Sequence, residues 1–189
     1  MIRRSHLFKK LFVVFFIAFS LLFVSCADLN KKKQLSEIKT LNNYLDSIHQ
    51  IITEKQLDSI SQMSRKSGDV ELRIKNYLIS DTINLELGKK MDAYKIMRKK
   101  CPSLNKDISV LKALIKEEKV ALKELKHDID NASGRKDKYD KYISFEKNKV
   151  KKIKLLFNEF SKNKTYVFNT YKNLHEELYT FSISLIKDS

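Results

Sequence analysis

Few residues in this chain have the type and spacing that catalysis or metal binding requires. The histidines that follow Cys26, namely His49, His127 and His175, lie far apart in the sequence, and no two have a spacing that would let them share a metal ion. The sequence also contains no glycine-rich phosphate loop, no nucleophile elbow and no CxxC pair. It therefore predicts no catalytic residue, no metal site and no cofactor, and we expect a protein that is not an enzyme.

Two acidic residues, Glu118 and Glu146, interrupt stripes of apolar residues in the second half of the chain. A pair of buried carboxylates can act as an acid and a base. The favoured interpretation is structural: Lys119, Lys147 or Lys149 neutralises these carboxylates, which then act as polar layers that fix the register of paired helices.

Cys26 follows a segment that is ordered like an export signal. Residues 1–10 carry four basic residues and no acid, and in residues 11–24 only Ser20 is not apolar. A helix that crosses a membrane needs roughly 20 apolar residues, whereas about 10 to 14 is typical of a signal-peptide core. The pattern therefore predicts that residues 1–25 are a signal peptide.

The Ser25–Cys26 junction resembles the lipobox of bacterial lipoproteins, in which the cysteine becomes the acylated first residue of the mature chain. Phe23 stands where that family usually has Leu. The resemblance implies a palmitate-type lipid anchor on Cys26, followed by a short tether over residues 26–33. The alternatives are an ordinary secretory signal that is cleaved near Ser25, or an anchor that is not cleaved.

The same resemblance bears on location and on the second cysteine. Ala27, rather than Asp, follows the cysteine, and this favours the outer membrane over the inner membrane. Acylation of Cys26 leaves Cys101 without an intramolecular disulfide partner, so the fold must depend on its core. We interpret Cys101 as a small apolar residue of that core, the alternative being a reactive thiol.

The composition predicts an all-α protein. The chain has three Gly, one Pro and no Trp, which is too few turn-forming residues for a β protein. Turn-forming clusters divide it into helical stretches at 34–66, 70–79, 82–131 and 136–187, and these clusters lie at 67–69, 80–82, 101–103 and 131–134.

Two of these stretches carry a seven-residue apolar repeat, the pattern of a coiled coil. Twelve of fourteen positions in each stripe are apolar or aromatic. The first stripe comprises Ile83, Leu87, Lys90, Tyr94, Met97, Cys101, Leu104, Ile108, Leu111, Ile115, Glu118, Leu122, Leu125 and Ile129. The second comprises Tyr139, Ile143, Glu146, Val150, Ile153, Phe157, Phe160, Lys164, Val167, Tyr171, Leu174, Leu178, Phe181 and Leu185.

Because the two stripes flank one short polar connection, we expect them to pair as an antiparallel hairpin. Pairing outward from the connection matches Ile129 with Tyr139 and Ile115 with Ile153. The repeat crosses Pro102 without a change of phase, which favours a kink or short break between collinear halves over a reversal.

The predicted fold class is all-α, a long antiparallel coiled-coil helical hairpin (80–189, with arms 82–131 and 136–187) and an additional N-terminal helical layer (34–79). This layer carries apolar residues at helical spacing, and we expect it to pack near the chain termini, where Tyr166, Phe168 and Tyr179 add apolar surface. The half of the hairpin near the 131–136 turn is then expected to be two-stranded.

The chain is basic. Its net charge of +15 becomes about +11 without residues 1–25, and residues 135–164 hold eleven Lys or Arg against four Asp or Glu. Such a stripe can attract anionic partners, but the favoured interpretation is a solvated coiled-coil face. Candidate contacts to an anionic partner are Arg135, Lys136, Lys138, Lys141, Lys147, Lys149, Lys151, Lys152 and Lys154.

These features predict a lipid-anchored protein of the cell envelope that acts as a structural or protein-interaction module. In its order of features, a lipobox-type cysteine followed by a lysine-rich helical hairpin, the chain is similar to coiled-coil envelope lipoproteins of Gram-negative bacteria. Expected partners are the membrane through Cys26, an envelope protein or an anionic glycolipid, and a second copy of the chain, whereas export disfavours nucleic acid. The alternatives are a periplasmic holdase-like chaperone and a surface adhesin that binds a host factor.

Overall fold

The computed structural model describes residues 29–52, 54–79 and 84–187, and in these residues the chain is all-α, with no β-strand. α3 and α4 pack closely as the two arms of a hairpin, and α1 and α2 form an N-terminal layer, so the predicted fold class is confirmed. The described helices are α1 (29–51), α2 (Glu54–Tyr77), α3 (Leu85–Asp130) and α4 (Tyr139–Lys187), the last preceded by a 3-10 turn at Lys136–Lys138.

Several predictions fall on residues that lie outside the described ranges. These are the signal peptide at 1–25, the anchor at Cys26 and the turn at 80–82. Residues 29–33, which the sequence analysis assigned to a tether, already belong to α1.

The helices contribute to two compact units. One, the turn unit, combines the described part of residues 1–44 with Lys119–Asn148, and therefore contains the connection between α3 and α4. The other, the main unit, combines Leu45–Glu118 with the described part of 149–189. Each unit contains segments of α3, of α4 and of the N-terminal layer.

The predicted apolar stripes form the core. In α3 every stripe position from Tyr94 to Ile129 is buried, including Cys101 and Glu118. Burial of a Leu or Ile side chain contributes roughly 1.5–3 kcal/mol, so the stripe is a principal source of stability. The buried stripe positions of α4 are Tyr139, Ile143, Val150, Ile153, Phe160, Val167 and Leu178.

Side-chain contacts in the main unit confirm the antiparallel register. Lys90 contacts Glu177, and Glu118 contacts Lys149, so the separation of 28 positions between Lys90 and Glu118 equals that between Lys149 and Glu177. The predicted pairing differs from this register by a single residue. The seven-residue repeat on both helices accounts for the close agreement, because it keeps one apolar stripe of each helix facing the other.

The prediction of a two-stranded hairpin next to the turn is wrong, because α1 lies there. The Lys31 ammonium donates to the backbone oxygen of Asp130 at 2.8 Å, and the Gln34 amide donates to the Asp140 carboxylate at 2.8 Å. These two contacts are polar and join residues about a hundred positions apart in the chain. The prediction relied on the distribution of apolar residues, and this distribution carries no information on polar contacts of this kind.

In the main unit, α2 lies along α3 in the opposite direction. The Asn105 amide donates to the Ser61 hydroxyl. Arg98 forms a bidentate pair with Glu71, in which Nε donates to Oε1 at 2.7 Å and Nη2 donates to Oε2 at 3.0 Å. Two parallel hydrogen bonds between a guanidinium and one carboxylate fix the relative orientation of the two side chains as well as their distance. α2 also reaches α4, where Arg73 donates to Ser182 at 3.0 Å and lies over the ring of Tyr179. This part of the predicted layer therefore lies near Tyr179, as expected.

The predicted turn at Ser67–Asp69 is also wrong, because α2 continues through Gly68. The buried residues Ile60, Ser67, Val70 and Ile74 keep helical spacing across the glycine. Burial of this face outweighs the roughly 1 kcal/mol that a glycine costs in a helix interior. The layer breaks instead after residue 51, where α1 ends.

α3 is one helix through Pro102, where the sequence predicted a kink or a short break rather than a reversal. Proline has no N–H to donate to the preceding turn, and this usually costs about 3 kcal/mol. Two neighbouring side chains donate to backbone oxygens of that turn: Ser103 to Lys100 at 2.9 Å, and Cys101 to Met97 at 3.6 Å.

The connection between α3 and α4 is a Schellman motif. Ser133 N–H donates to the Asp128 oxygen at 2.9 Å, and Ala132 N–H donates to the Ile129 oxygen at 3.3 Å. Ala132 has φ 53°, in the left-handed region that usually requires glycine at this position, and Gly134 has φ 71°. The Tyr139 hydroxyl donates to the same Asp128 oxygen at 2.9 Å and so links α4 to the end of α3.

We expect Gly68→Ala to raise the free energy of unfolding by about 1 kcal/mol, because alanine favours helix and the new methyl group would meet only Arg98 Cδ, at 3.8 Å. Urea denaturation of the mature chain measures this. Gly88→Ala, where nothing lies within 4 Å, reports the effect of helix propensity alone. A loss of stability at Gly68 only would mean that the chain turns there, as the sequence pattern suggested.

We expect Ala132→Gly to stabilise the protein by roughly 0.5–1 kcal/mol, because it removes the cost of a left-handed alanine. Gly134→Ala should have the opposite effect, since its φ of 71° strains any side chain. Thermal unfolding of both variants, which exchange the same two residue types in one turn, tests the prediction. Changes of equal sign would contradict the described turn.

Candidate functional site

The predicted basic residues lie at the start of α4 and in the turn before it. Arg135, Lys136, Lys138, Lys141 and Lys147 belong to the turn unit, and all of these except the half-buried Lys138 are exposed. The main unit contains Lys149, Lys151, Lys152 and Lys154, of which Lys149 is half-buried and the others are exposed.

Four residues of the turn unit form a face that we call the tip face: Lys138, Lys141, Tyr142 and Phe145. Lys138 ends the 3-10 turn, and the other three residues lie on the first two turns of α4. Steps of three or four positions connect all four residues, so they are neighbours on one side of the chain. Tyr142 is 40% exposed and Phe145 is 62% exposed. Two large aromatic side chains therefore lie at the surface among basic residues.

Lys149 has a different role from the exposed lysines. Its ammonium lies 2.9 Å from Oε2 of Glu118, whose side chain is only 2% exposed. A buried carboxylate is costly unless a cation is close to it, and Lys149 supplies that cation. The interpretation of Glu118 as a neutralised polar position of the seam is therefore supported by its geometry.

The start of α1 lies beside the connection between α3 and α4. Lys31 contacts the last residue of α3, Asp130, and Gln34, which is buried, contacts Asp140 in the first turn of α4. The Asp130 side chain pairs with Lys126, and this hydrogen bond, with the nearby charges of Lys126, Lys31 and His127, lowers the pKa of its carboxyl. A cation close to the last carbonyl of a helix is also favoured by the helix dipole.

The main unit contains a groove that the sequence analysis did not find, which we call the His175 groove. Its volume is about 390 Å³. Tyr171 stacks on His175 with ring centroids 4.2 Å apart, and the Tyr94 hydroxyl lies 2.5 Å from His175 Nδ1. The groove is lined by Lys66, Asp69, Arg73, Tyr171, His175, Glu176 and Tyr179.

Protonation in this groove is set mainly by burial. Burial raises the pKa of Tyr94 to about 12, so this hydroxyl keeps its proton and can donate it to the imidazole. Burial also lowers the pKa of His175, as do the positive charges of Lys66 and Arg73, against an opposing effect of Glu176. The arrangement therefore favours a neutral imidazole that accepts a hydrogen bond from Tyr94.

A signal for this cluster exists in the sequence. Tyr171, His175 and Tyr179 are spaced four apart, which places them on one face of α4. The spacing of the histidines from one another, which is what matters for a shared metal ion, does not reveal this cluster, because its other members are tyrosines. In the described ranges no group of three or more His, Cys, Asp and Glu could hold a metal ion.

A larger open groove of about 830 Å³ lies between the start of α3 and α4 in the main unit. Lys90 lines this groove, and its ammonium lies 2.6 Å from Glu177 and 2.9 Å from Glu86. The hydrogen bond to Glu177, followed by that to Glu86, raises the pKa of Lys90. Because two carboxylates compensate this cation, the groove does not present a net positive surface.

Cys101 is buried in the seam, and burial raises the pKa of its thiol. A thiol that is buried and protonated is a poor nucleophile, which agrees with its interpretation as a core residue. Among the helices that the structure describes, none combines the length and apolar character needed to cross a membrane.

Comparison with known proteins adds no assignment: no family model, no curated protein and no solved structure matches this chain.

We expect the stability of the mature chain to fall as the pH drops below about 6.5, because His175 has a lower pKa in the folded state than in the unfolded state. Between these two pKa values the unfolded chain binds more protons, so acid favours unfolding, and the effect levels off once both states are protonated. His175→Gln should weaken this dependence. Urea denaturation near neutral pH and near pH 5 measures it, and an unchanged pH slope in the variant would assign the dependence to other groups.

Proposed function

We propose that this protein is a lipoprotein of the bacterial cell envelope, held to the membrane by acyl chains on Cys26, and that its helical part acts as a structural or protein-interaction module. The outer membrane is the favoured location. The observation that carries the proposal is the sequence of residues 1–26, in which a basic start and an apolar run of signal-peptide length are followed by Ser25 and Cys26. A single acyl chain binds a membrane only marginally, so two or more chains are expected.

The helical part supports a role in spacing or contact rather than in catalysis. The seam between α3 and α4 is filled by apolar side chains, and its one fully buried carboxylate, Glu118, is paired with Lys149. The outer faces of α3 and α4 are long, regular and mostly exposed. Surfaces of this kind bind partners along helix faces, as coiled-coil proteins do.

The partner can be identified by crosslinking in intact cells. A structural or interaction module should capture the same envelope component under different growth conditions. A holdase-like chaperone would instead capture many unfolded clients and would suppress aggregation of a denatured protein in solution. A surface adhesin would be lost from intact cells on addition of protease.

We expect Cys26→Ala to abolish incorporation of labelled palmitate and to move the protein from the detergent phase to the aqueous phase of a detergent partition. The reason is that residue 26 carries the acyl chains that give the protein its membrane affinity. Cys101→Ala is the control, because this buried cysteine should not be acylated. Retention of the Cys26→Ala variant in the detergent phase would show that the anchor is not at this residue.

A further inference from the structure

The position of α1 determines which part of the protein lies close to the proposed anchor. Three peptide units separate Cys26 from Leu29, the first residue of α1 that the structure describes. A chain extends at most about 3.6 Å per residue, so Leu29 lies within about 11 Å of Cys26 in any conformation. This step rests on the proposed function, because only an acylated Cys26 would hold this end of α1 at a membrane.

Leu29 is in turn close to the connection between α3 and α4. Lys31, two residues further on, donates to the backbone oxygen of Asp130, the last residue of α3. Gln34, one turn later, is buried and donates to Asp140 in the first turn of α4. The lipid anchor is therefore at the same end of the turn unit as the turn itself.

The surface at this end has the composition of a membrane-contacting surface. Lys136 is exposed in the turn, where Arg135 is paired with Asp137 at 3.3 Å, and the tip face adds Lys138 and Lys141 beside the exposed rings of Tyr142 and Phe145. Basic side chains are attracted to anionic lipid headgroups, and aromatic rings favour the boundary between headgroups and acyl chains. Leu29, 71% exposed, adds an apolar residue at the start of α1.

We propose that the tip face binds the surface of the membrane that holds the anchor, through anionic phospholipid headgroups, so that the turn between α3 and α4 faces the bilayer. The acyl chains and the tip face then act together, because the anchor keeps the basic and aromatic residues within reach of the headgroups. An elevated local concentration of this kind strengthens a weak second contact. A distant anionic protein would gain no such advantage.

Binding by the tip face can be measured without the anchor. The mature chain with Cys26→Ser is mixed with vesicles of phosphatidylcholine that contain phosphatidylglycerol, and with vesicles of phosphatidylcholine alone, and bound protein is separated by flotation. We expect binding to the anionic vesicles only, and weakening by salt, since the attraction of exposed charges is screened.

Two substitutions test the residues of the tip face. Lys138→Gln with Lys141→Gln should weaken binding by roughly tenfold or more, because each basic residue at an anionic surface contributes about fivefold. Phe145→Ser should weaken it by roughly fivefold, through loss of the inserted ring.

The controls carry matched changes elsewhere. Lys95→Gln with Lys99→Gln removes the same charge from exposed positions of α3 in the main unit. Val120→Ser removes an apolar side chain that is 51% exposed in the turn unit. Circular dichroism verifies that each variant is folded. Equal losses in the controls and in the tip-face variants, or no binding to anionic vesicles, would overturn the proposal.

Orientation is tested on the acylated protein in the same anionic vesicles. In a Cys101→Ala background, a fluorophore on Asn131→Cys, in the turn, is compared with one on Val120→Cys, about 16 Å back along α3. Quenching by brominated lipid should be stronger at position 131. Equal quenching, or stronger quenching at position 120, would overturn the proposed orientation.

The failure of this inference is distinguishable from the failure of the proposed function. If Cys26→Ala does not alter detergent partition, then the anchor is wrong, whatever the vesicles show. If the anchor is verified but flotation or quenching gives the contrary result, then only the membrane contact of the tip face is wrong.

Discussion

The seven-residue repeat shared by α3 and α4 is the constraint on which the rest of the structure depends. It buries one continuous stripe from Tyr94 to Ile129 against its counterpart on α4. Three residues of α3 depart from the usual composition of such a helix without interrupting the stripe. Pro102 lies within a continuous helix, Cys101 is buried in the seam, and the carboxylate of Glu118 is paired with Lys149. A strict repeat has this effect because it keeps one apolar stripe of each helix facing the other along the whole seam.

Polar contacts, rather than apolar area alone, attach the N-terminal layer to the hairpin. In the turn unit, Lys31 and Gln34 join α1 to the end of α3 and the start of α4. In the main unit, the two-pronged pair of Arg98 and Glu71 orients α2 on α3. Contacts of this kind are individually modest in energy but specific in geometry, so they select one position on a surface that offers many.

The distribution of charge is functionally more informative than its total. Some cations are compensated by carboxylates, as Lys90 is by Glu86 and Glu177, and they contribute no net attraction. Arg135 is likewise paired with Asp137, whereas Lys141 is exposed beside the exposed ring of Phe145, at the end of the turn unit where α1 begins. The proposed lipid anchor and the proposed membrane contact thus occupy one end of the same unit.

By itself, the sequence determined the all-α class, the two stripes and their antiparallel pairing, because a long repeat is a local property that accumulates over many residues. It predicted a kink or short break at Pro102, where α3 is one continuous helix. It also supplied the signal and Cys26, which lie outside the described residues, so that the anchor stays a prediction. Only the tertiary structure decided that α1 lies beside the turn, that α2 passes through Gly68 and that tyrosines surround His175. These features depend on contacts between residues that are distant in the chain, such as Lys31 with Asp130 and Tyr94 with His175, and no local pattern encodes which distant partner a polar side chain will meet.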